Sequence, residues 1–288
     1  MTTKAHRSDA LAGDAEPTRR TLDLAATTMR IIAVANQKGG TGKTTTTVNL
    51  AAALGERRQP VLVIDLDPQA NASSWLGARD GGSGLLDALV AEDGASLADL
   101  VRPTCAAGVD VIAASAQLAR AEHHLAQTLG GEMILLGLLR TLPRGRWDYV
   151  LIDCPPALGL LTINALAAAD ELLVPVEAST MAVAGLASLV KTVTQARKRL
   201  NANLVIGGIV ACRVDGRTVL ARDVVATLRK TFPEITLATT IRESVRLREA
   251  PAHAPIVLYA PASSGAEDYR QLAAEVSRLE PRHAFAAR

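Results

Sequence analysis

The run Lys38-Gly39-Gly40-Thr41-Gly42-Lys43-Thr44-Thr45 holds the residue types that bind a phosphate chain, in the order such binding needs. Glycines at 39, 40 and 42 let successive backbone N–H groups turn inward around an anion. Lys43 is placed to reach β and γ phosphates, and the Thr44 hydroxyl to hold Mg2+. The pattern G-x-x-x-x-G-K-[ST] is met at every fixed position except the first, where Gln37 replaces glycine. Lys38 makes this a variant loop, with two lysines where one normally serves. Two carboxylates complete the candidate chemistry. Val61-Leu62-Val63-Ile64-Asp65 runs into Leu66-Asp67-Pro68-Gln69, and Tyr149-Val150-Leu151-Ile152-Asp153 is stopped by Cys154-Pro155-Pro156. An aspartate at the tip of such a strand can serve Mg2+ beside the phosphates.

These residues need strands that end at a common edge and a helix that begins at the loop. Ile31-Ile32-Ala33-Val34 reads as a strand, residues 30–35, and a helix follows over about 43–57. Short continuous apolar runs at 61–65, 109–112, 149–153, 172–176 and 204–210 read as buried parallel strands. Helices are expected over 116–141, 181–199, up to about 231, and 264–279. Ser263-Ser264 ahead of Glu267 marks the last start. Alternating strands and helices imply right-handed crossovers and an α/β fold: a doubly wound, mostly parallel sheet with helices on both faces. In such a sheet ligands bind at the carboxyl ends of the strands, where the loop, Asp67 and Asp153 all fall.

The chain has 288 residues, 49% apolar but only 2% aromatic, so Ala, Val, Leu and Ile must fill its core. One domain over residues 29–280 is expected, with a disordered polar tail at 1–28 and a short flexible one at 281–288. No apolar run is long enough to span a bilayer, and residues 1–28 lack the apolar centre of a secretory signal. Cysteines 105, 154 and 212 have no metal-like spacing and an odd count, which favours reduced thiols in a cytoplasmic protein. Cys154 reads as a small packed residue, and the adjacent His123 and His124 do not share a helix face. The net charge is only +2, yet residues 186–248 carry twelve Lys or Arg against four Asp or Glu. Such a segment suits a polyanion-binding face, or else places basic residues on solvated helix faces.

The motifs NQKGGTGKTTTTVNLAAAL, VLVIDLDPQANASSWLG, YVLIDCPPALGLLTINAL, DGRT, VRLREAP and SGAEDYRQLAAEV occur in that order over residues 30–279. Together they resemble the ParA/Soj family of DNA-partitioning ATPases. The resemblance implies the deviant-Walker P-loop fold, ATP and Mg2+ as cofactors, and an ATP-bound homodimer closed face to face around two nucleotides. It implies that residues 38–45 bind nucleotide and that Lys38 crosses the interface to the partner's phosphates. Asp67 matches the aspartate that positions the attacking water, while Thr44 and Asp153 match those serving Mg2+; Asp67 is kept as a further candidate for the metal. Asp65 either supports that site indirectly or serves the fold. Arg217 and Arg246 match positions implicated in sequence-independent DNA binding, and Arg242 and Arg248 extend the same face. A ParB-type centromere-binding partner, nonspecific double-stranded DNA and association with the nucleoid are implied as well. Many relatives have proline where Arg242 stands and glutamate where Ser179 stands. A membrane-cycling positioning ATPase like MinD is the alternative, but it needs an amphipathic C-terminal helix, which Pro281 would break. A metal-cluster P-loop protein lacks its cysteines here, and a metabolic synthetase would show turnover that depends on a small substrate.

Overall fold

Strand β1 (Arg30–Val34) lies at the centre of the sheet, and every part of the candidate site is placed relative to it. The computed structural model describes residues 29–78, 82–91, 96–179 and 182–279; the two expected tails and Pro281 lie outside them. After β1 come α1 (Lys43–Glu56), β2 (Val61–Asp65), α2 (Asn71–Trp75) and α3 (Gly84–Val90). The middle of the chain forms β3 (Val101–Pro103), β4 (Val109–Ile112), α4 (Ala121–Gln127), α5 (Ile134–Leu139), β5 (Tyr149–Asp153) and α6 (Leu160–Ala168). The rest is β6 (Glu171–Glu177), α7 (Ala182–Arg199), β7 (Val205–Val214), α8 (Val219–Thr231), β8 (Thr236–Arg242), α9 (Val245–Glu249), α10 (Ile256–Tyr259) and α11 (Ser264–Arg278).

The eight strands run in the order β3-β4-β2-β5-β1-β6-β7-β8, parallel except for β3, which pairs antiparallel with β4. The registers decide the site. Val34 of β1 and Asp65 of β2 both stand opposite Asp153 of β5, so the phosphate loop and both aspartate-bearing loops leave the sheet at one level.

Successive side chains of each strand enter different cores. Ala33, Leu62, Ile64, Val150 and Ile152 pack with α3 to α8, whereas Ile32, Val34, Val61, Val63 and Leu151 pack with α1, α2, α10 and α11. Both faces are therefore covered, which is why these strands are apolar at every position rather than at alternate ones. Each fully buried aliphatic side chain contributes about 1.5–3 kcal/mol relative to exposure.

The helix expected over 116–141 is broken into 3-10 and α segments. Thr128 leaves the helix with ψ 131, Gly130 takes a left-handed φ of 71, and a Cβ at Gly131 would overlap the Leu125 carbonyl oxygen. Glycine thus permits a turn that a continuous helix would forbid.

One buried ion pair ties β1 to its neighbours. The Arg30 guanidinium donates to both Glu171 carboxylate oxygens at 2.8 and 2.9 Å and to the Val276 carbonyl at 2.9 Å, over the Tyr149 ring. Removing one member strands the other charge in a low dielectric. Glu171→Ala is expected to cost about 3–5 kcal/mol of stability, read from urea unfolding. A loss below about 1 kcal/mol would show that water reaches Arg30 instead.

Candidate functional site

The loop between β1 and α1 takes its shape from two left-handed glycines, Gly40 at φ 72 and Gly42 at φ 92. Gly42 caps α1 without any side-chain hydrogen bond, and the first turn holds no acid, so its N–H groups are left to face an anion. Thr41 and Lys43 are buried, while Gly39 and Gly40 are exposed at the loop's tip. The Lys43 Nζ lies 3.4 Å from the Lys38 carbonyl oxygen. Burial lowers the pKa of Lys43, and the nearby Asp153, Cys154 and Asp67 oppose that shift.

Asp153, fully buried, accepts hydrogen bonds from Thr44 Oγ1 at 2.7 Å and from Thr47 Oγ1 at 3.0 Å. Burial pushes its carboxyl above the usual range; the Asp65 charge adds to that, and the two threonine hydrogen bonds oppose it. A cation held in front of Thr44 would favour the charged carboxylate. Among the described residues no three His, Cys, Asp or Glu gather to hold a metal by themselves. Mg2+ needs no such cage, since it takes one or two protein oxygens and completes its shell with phosphate and water. Thr44 and Asp153 fit that requirement.

Asp67 and Thr44 line one cavity of about 580 Å³. Asp153 does not line it and meets it through Thr44, whose hydroxyl donates to its Oδ2. Asp65 has a fold role: its Oδ2 accepts from the Ser73 backbone N at 2.8 Å and hydroxyl at 2.7 Å, and its Oδ1 from the Asp67 N at 3.1 Å. It thereby fixes the backbone that carries Asp67. Cys154 and Cys212 are buried, and burial raises both thiol pKa values, so neither is a ready nucleophile.

The far wall of the cavity joins Arg213, Arg242 and Glu243, which lie outside the quoted motifs, to Arg248 and Pro251 of VRLREAP and Tyr269 of SGAEDYRQLAAEV. Arg242 belongs to this wall and is held by the buried Asp268, with Nη2 to Oδ1 at 2.6 Å and Nε to Oδ1 at 2.9 Å. Arg217 and Arg246 stay outside the cavity and are exposed, on the segments that follow β7 and β8. Arg217 pairs with Asp215 at 2.8 Å, Arg246 with Glu249 at 3.1 Å, and Arg248 reaches Glu243 at 3.7 Å. Exposed pairs of this kind contribute little to stability. The remaining basic residues do not all join them. Arg197, Lys198 and Arg199 occupy the last turn of α7, and Arg229 and Lys230 that of α8. Those ends lie at the opposite edge of the sheet, where positive charge suits the helix dipole.

A glycine loop between a central strand and a helix, a threonine and a strand-tip aspartate behind it, and a second aspartate in the same cavity define a P-loop nucleotide-hydrolase site; Lys38 makes it the deviant Walker type. The AAA_31 family model, an AAA domain, matches residues 29–206. Soj of Bacillus subtilis, a sporulation initiation inhibitor protein, is 45% identical over 86% of this chain and 98% of its own length. The chromosome-partitioning ATPase Soj of Thermus thermophilus is 43% identical over 86% of this chain and 95% of its own. The chain belongs to the Soj/ParA family of chromosome-partitioning ATPases. Among solved structures, cobyrinic acid a,c-diamide synthase of Mycobacterium smegmatis with a bound ATP analog and magnesium superposes with a TM-score of 0.75. It is 32% identical, over 87% of this chain and 95% of that one.

Proposed function

We propose that the chain is an ATP-switched partition ATPase, in which ATP with Mg2+ closes a homodimer that coats nonspecific duplex DNA. A ParB-type partner at a centromere-like site stimulates hydrolysis and release, which places the protein on the nucleoid. The observation that carries this reading is that the nucleotide cavity and the exposed Arg217 and Arg246 share the carboxyl edge of one sheet. A change at the phosphates is then close to the surface that meets DNA.

In this reading residues 38–45 wrap the phosphates, Lys43 neutralises the β and γ groups, and Thr44 with Asp153 serves Mg2+. Asp67 orients the attacking water. Positioning and charge neutralisation do most of the work in phosphoryl transfer. Arg248 contributes to the DNA face from its position at the cavity rim, and Arg242 joins only where its bond to Asp268 is given up. The measurement that tests the whole is ATPase rate with and without duplex DNA and the partner; a rate indifferent to both would refute it. ATP-dependent pelleting with liposomes would favour a membrane-cycling role instead. Among the described residues the last helix, α11, turns its apolar face (Tyr269, Leu272, Val276) into the core rather than offering it to lipid.

Lys38 supplies the switch, reaching the partner's phosphates across the dimer. A charge-assisted contact of this type is worth about 1.5–3 kcal/mol. Lys38→Ala is therefore expected to weaken ATP-dependent dimerisation by about ten- to a hundredfold, measured by sedimentation; unchanged dimers would sink the assignment.

A further inference from the structure

The side chain of Lys38 already has partners within its own subunit. Its Nζ lies 2.7 Å from Glu177 Oε2 and 3.3 Å from Ser179 Oγ. Glu177 ends β6, and the pairing of β6 with β1 brings it beside the loop across 139 residues of chain. The other oxygen of the same carboxylate, Oε1, accepts from Arg213 Nη1 at 3.0 Å. Arg213 in turn donates from Nε to Glu243 Oε2 at 3.2 Å. Its backbone takes φ 54, a left-handed conformation that a residue with a Cβ rarely adopts, so the fold imposes its direction toward both carboxylates.

We propose that Glu177 is an internal competitor for Lys38, holding the lysine within its own subunit until a partner's phosphate displaces it, with Arg213 keeping that carboxylate neutralised after Lys38 departs. The proposal rests on the reading that Lys38 acts across the dimer. A lysine ammonium has three donors but one charge at the end of one stem, so reaching a phosphate on another subunit competes with its ion pair to Glu177. Glu177 offers a single negative charge, whereas a γ-phosphate beside Mg2+ offers several acceptor oxygens. The exchange therefore favours the dimer only when the γ-phosphate is present. The side chains of Lys38 and Glu177 are 46% and 25% exposed, so solvent screens the pair. Such a contact adjusts the threshold for dimerisation and does not block it. Arg213 decides how low that threshold lies, because without it Glu177 would have Lys38 as its nearest cation.

The test is sedimentation of the full chain against protein concentration at saturating ATP and Mg2+, for the parent, Lys38→Ala, Glu177→Gln and Arg213→Gln. Glu177→Gln is expected to lower the concentration of half-dimerisation by about two- to fivefold, the size of an exposed ion pair. Arg213→Gln is expected to raise it by a similar factor; because Arg213 lines the cavity, its nucleotide affinity is titrated alongside, and a midpoint at or below the parent's with ATP bound would count against the proposal. A Glu177→Gln midpoint at or above the parent's, with Lys38→Ala still impaired, would overturn the internal competition alone. Lys38→Ala dimerising like the parent would remove the trans-acting lysine, and this proposal with it.

Discussion

Asp67→Ala is expected to bind ATP and dimerise as the parent does while losing hydrolysis by about a hundred- to ten-thousandfold, the range for removing a group that positions or deprotonates the nucleophile. The geometry separates the two effects. Asp67 lines the cavity, but it makes none of the contacts that shape the phosphate loop: Gly40 and Gly42 set that turn, and Thr44 is held by Asp153. Its own carboxylate accepts at Oδ1 from the Gln69 N at 2.9 Å. The residue also lines the cavity, which is large enough to admit water beside the phosphates. Asp65 keeps the loop in place when the Asp67 side chain is removed, because it grips the Asp67 backbone N and not its carboxylate. Single-turnover hydrolysis, compared with nucleotide affinity from equilibrium titration, would measure the split. Turnover at the parent rate would remove Asp67 from the chemistry, and a matching fall in affinity would recast it as a ligand of the Mg2+ site.

What could be read without coordinates follows from how parallel strands are buried. β1, β2 and β5 are covered on both faces, so each appears as an apolar run that ends where the chain must meet ligand, and Asp67 and Asp153 stand just there. Helix α6 lacked such a signal because it is buried nearly all round, which erases the amphipathic period. Strand β3 is a three-residue edge strand, too short to show alternation. The far wall of the cavity was hidden for a different reason. Arg213, Glu243 and Tyr269 are brought together by the pairing of β7 with β8 and by the packing of α11; nothing in the local sequence marks Arg213 or Glu243, and the motif around Tyr269 does not say that it faces the phosphate loop. The same holds for Glu177, whose place beside Lys38 depends on strand order. The proline-to-arginine departure at 242 is visible in the sequence, but its meaning is not: the bond to the buried Asp268 holds a half-exposed cation against the cavity.

That distinction selects the variants for the DNA surface. Arg242 and Arg248 line the cavity, so replacing them would confuse loss of nucleotide with loss of DNA, whereas Arg217 and Arg246 do not line it. The double variant Arg217→Glu, Arg246→Glu is expected to keep ATP binding and ATP-dependent dimers and to lose affinity for duplex DNA by more than about a hundredfold. Each contact to a phosphate releases condensed counterions, with a contribution of about 0.9 to the slope of log K against log salt for duplex DNA. Two arginines from each of two subunits would therefore flatten that slope by roughly 3 to 4. The salt series is the stronger test, since a misfolded variant would lose affinity without the predicted change of slope. To reach phosphate, both arginines would have to give up an acidic partner, Asp215 or Glu249. Because that exchange swaps one screened pair for another, binding should fall with salt and be indifferent to sequence. A double variant that retains the parent's slope would place the DNA surface elsewhere, and the basic ends of α7 and α8 at the opposite edge of the sheet would be the next to test.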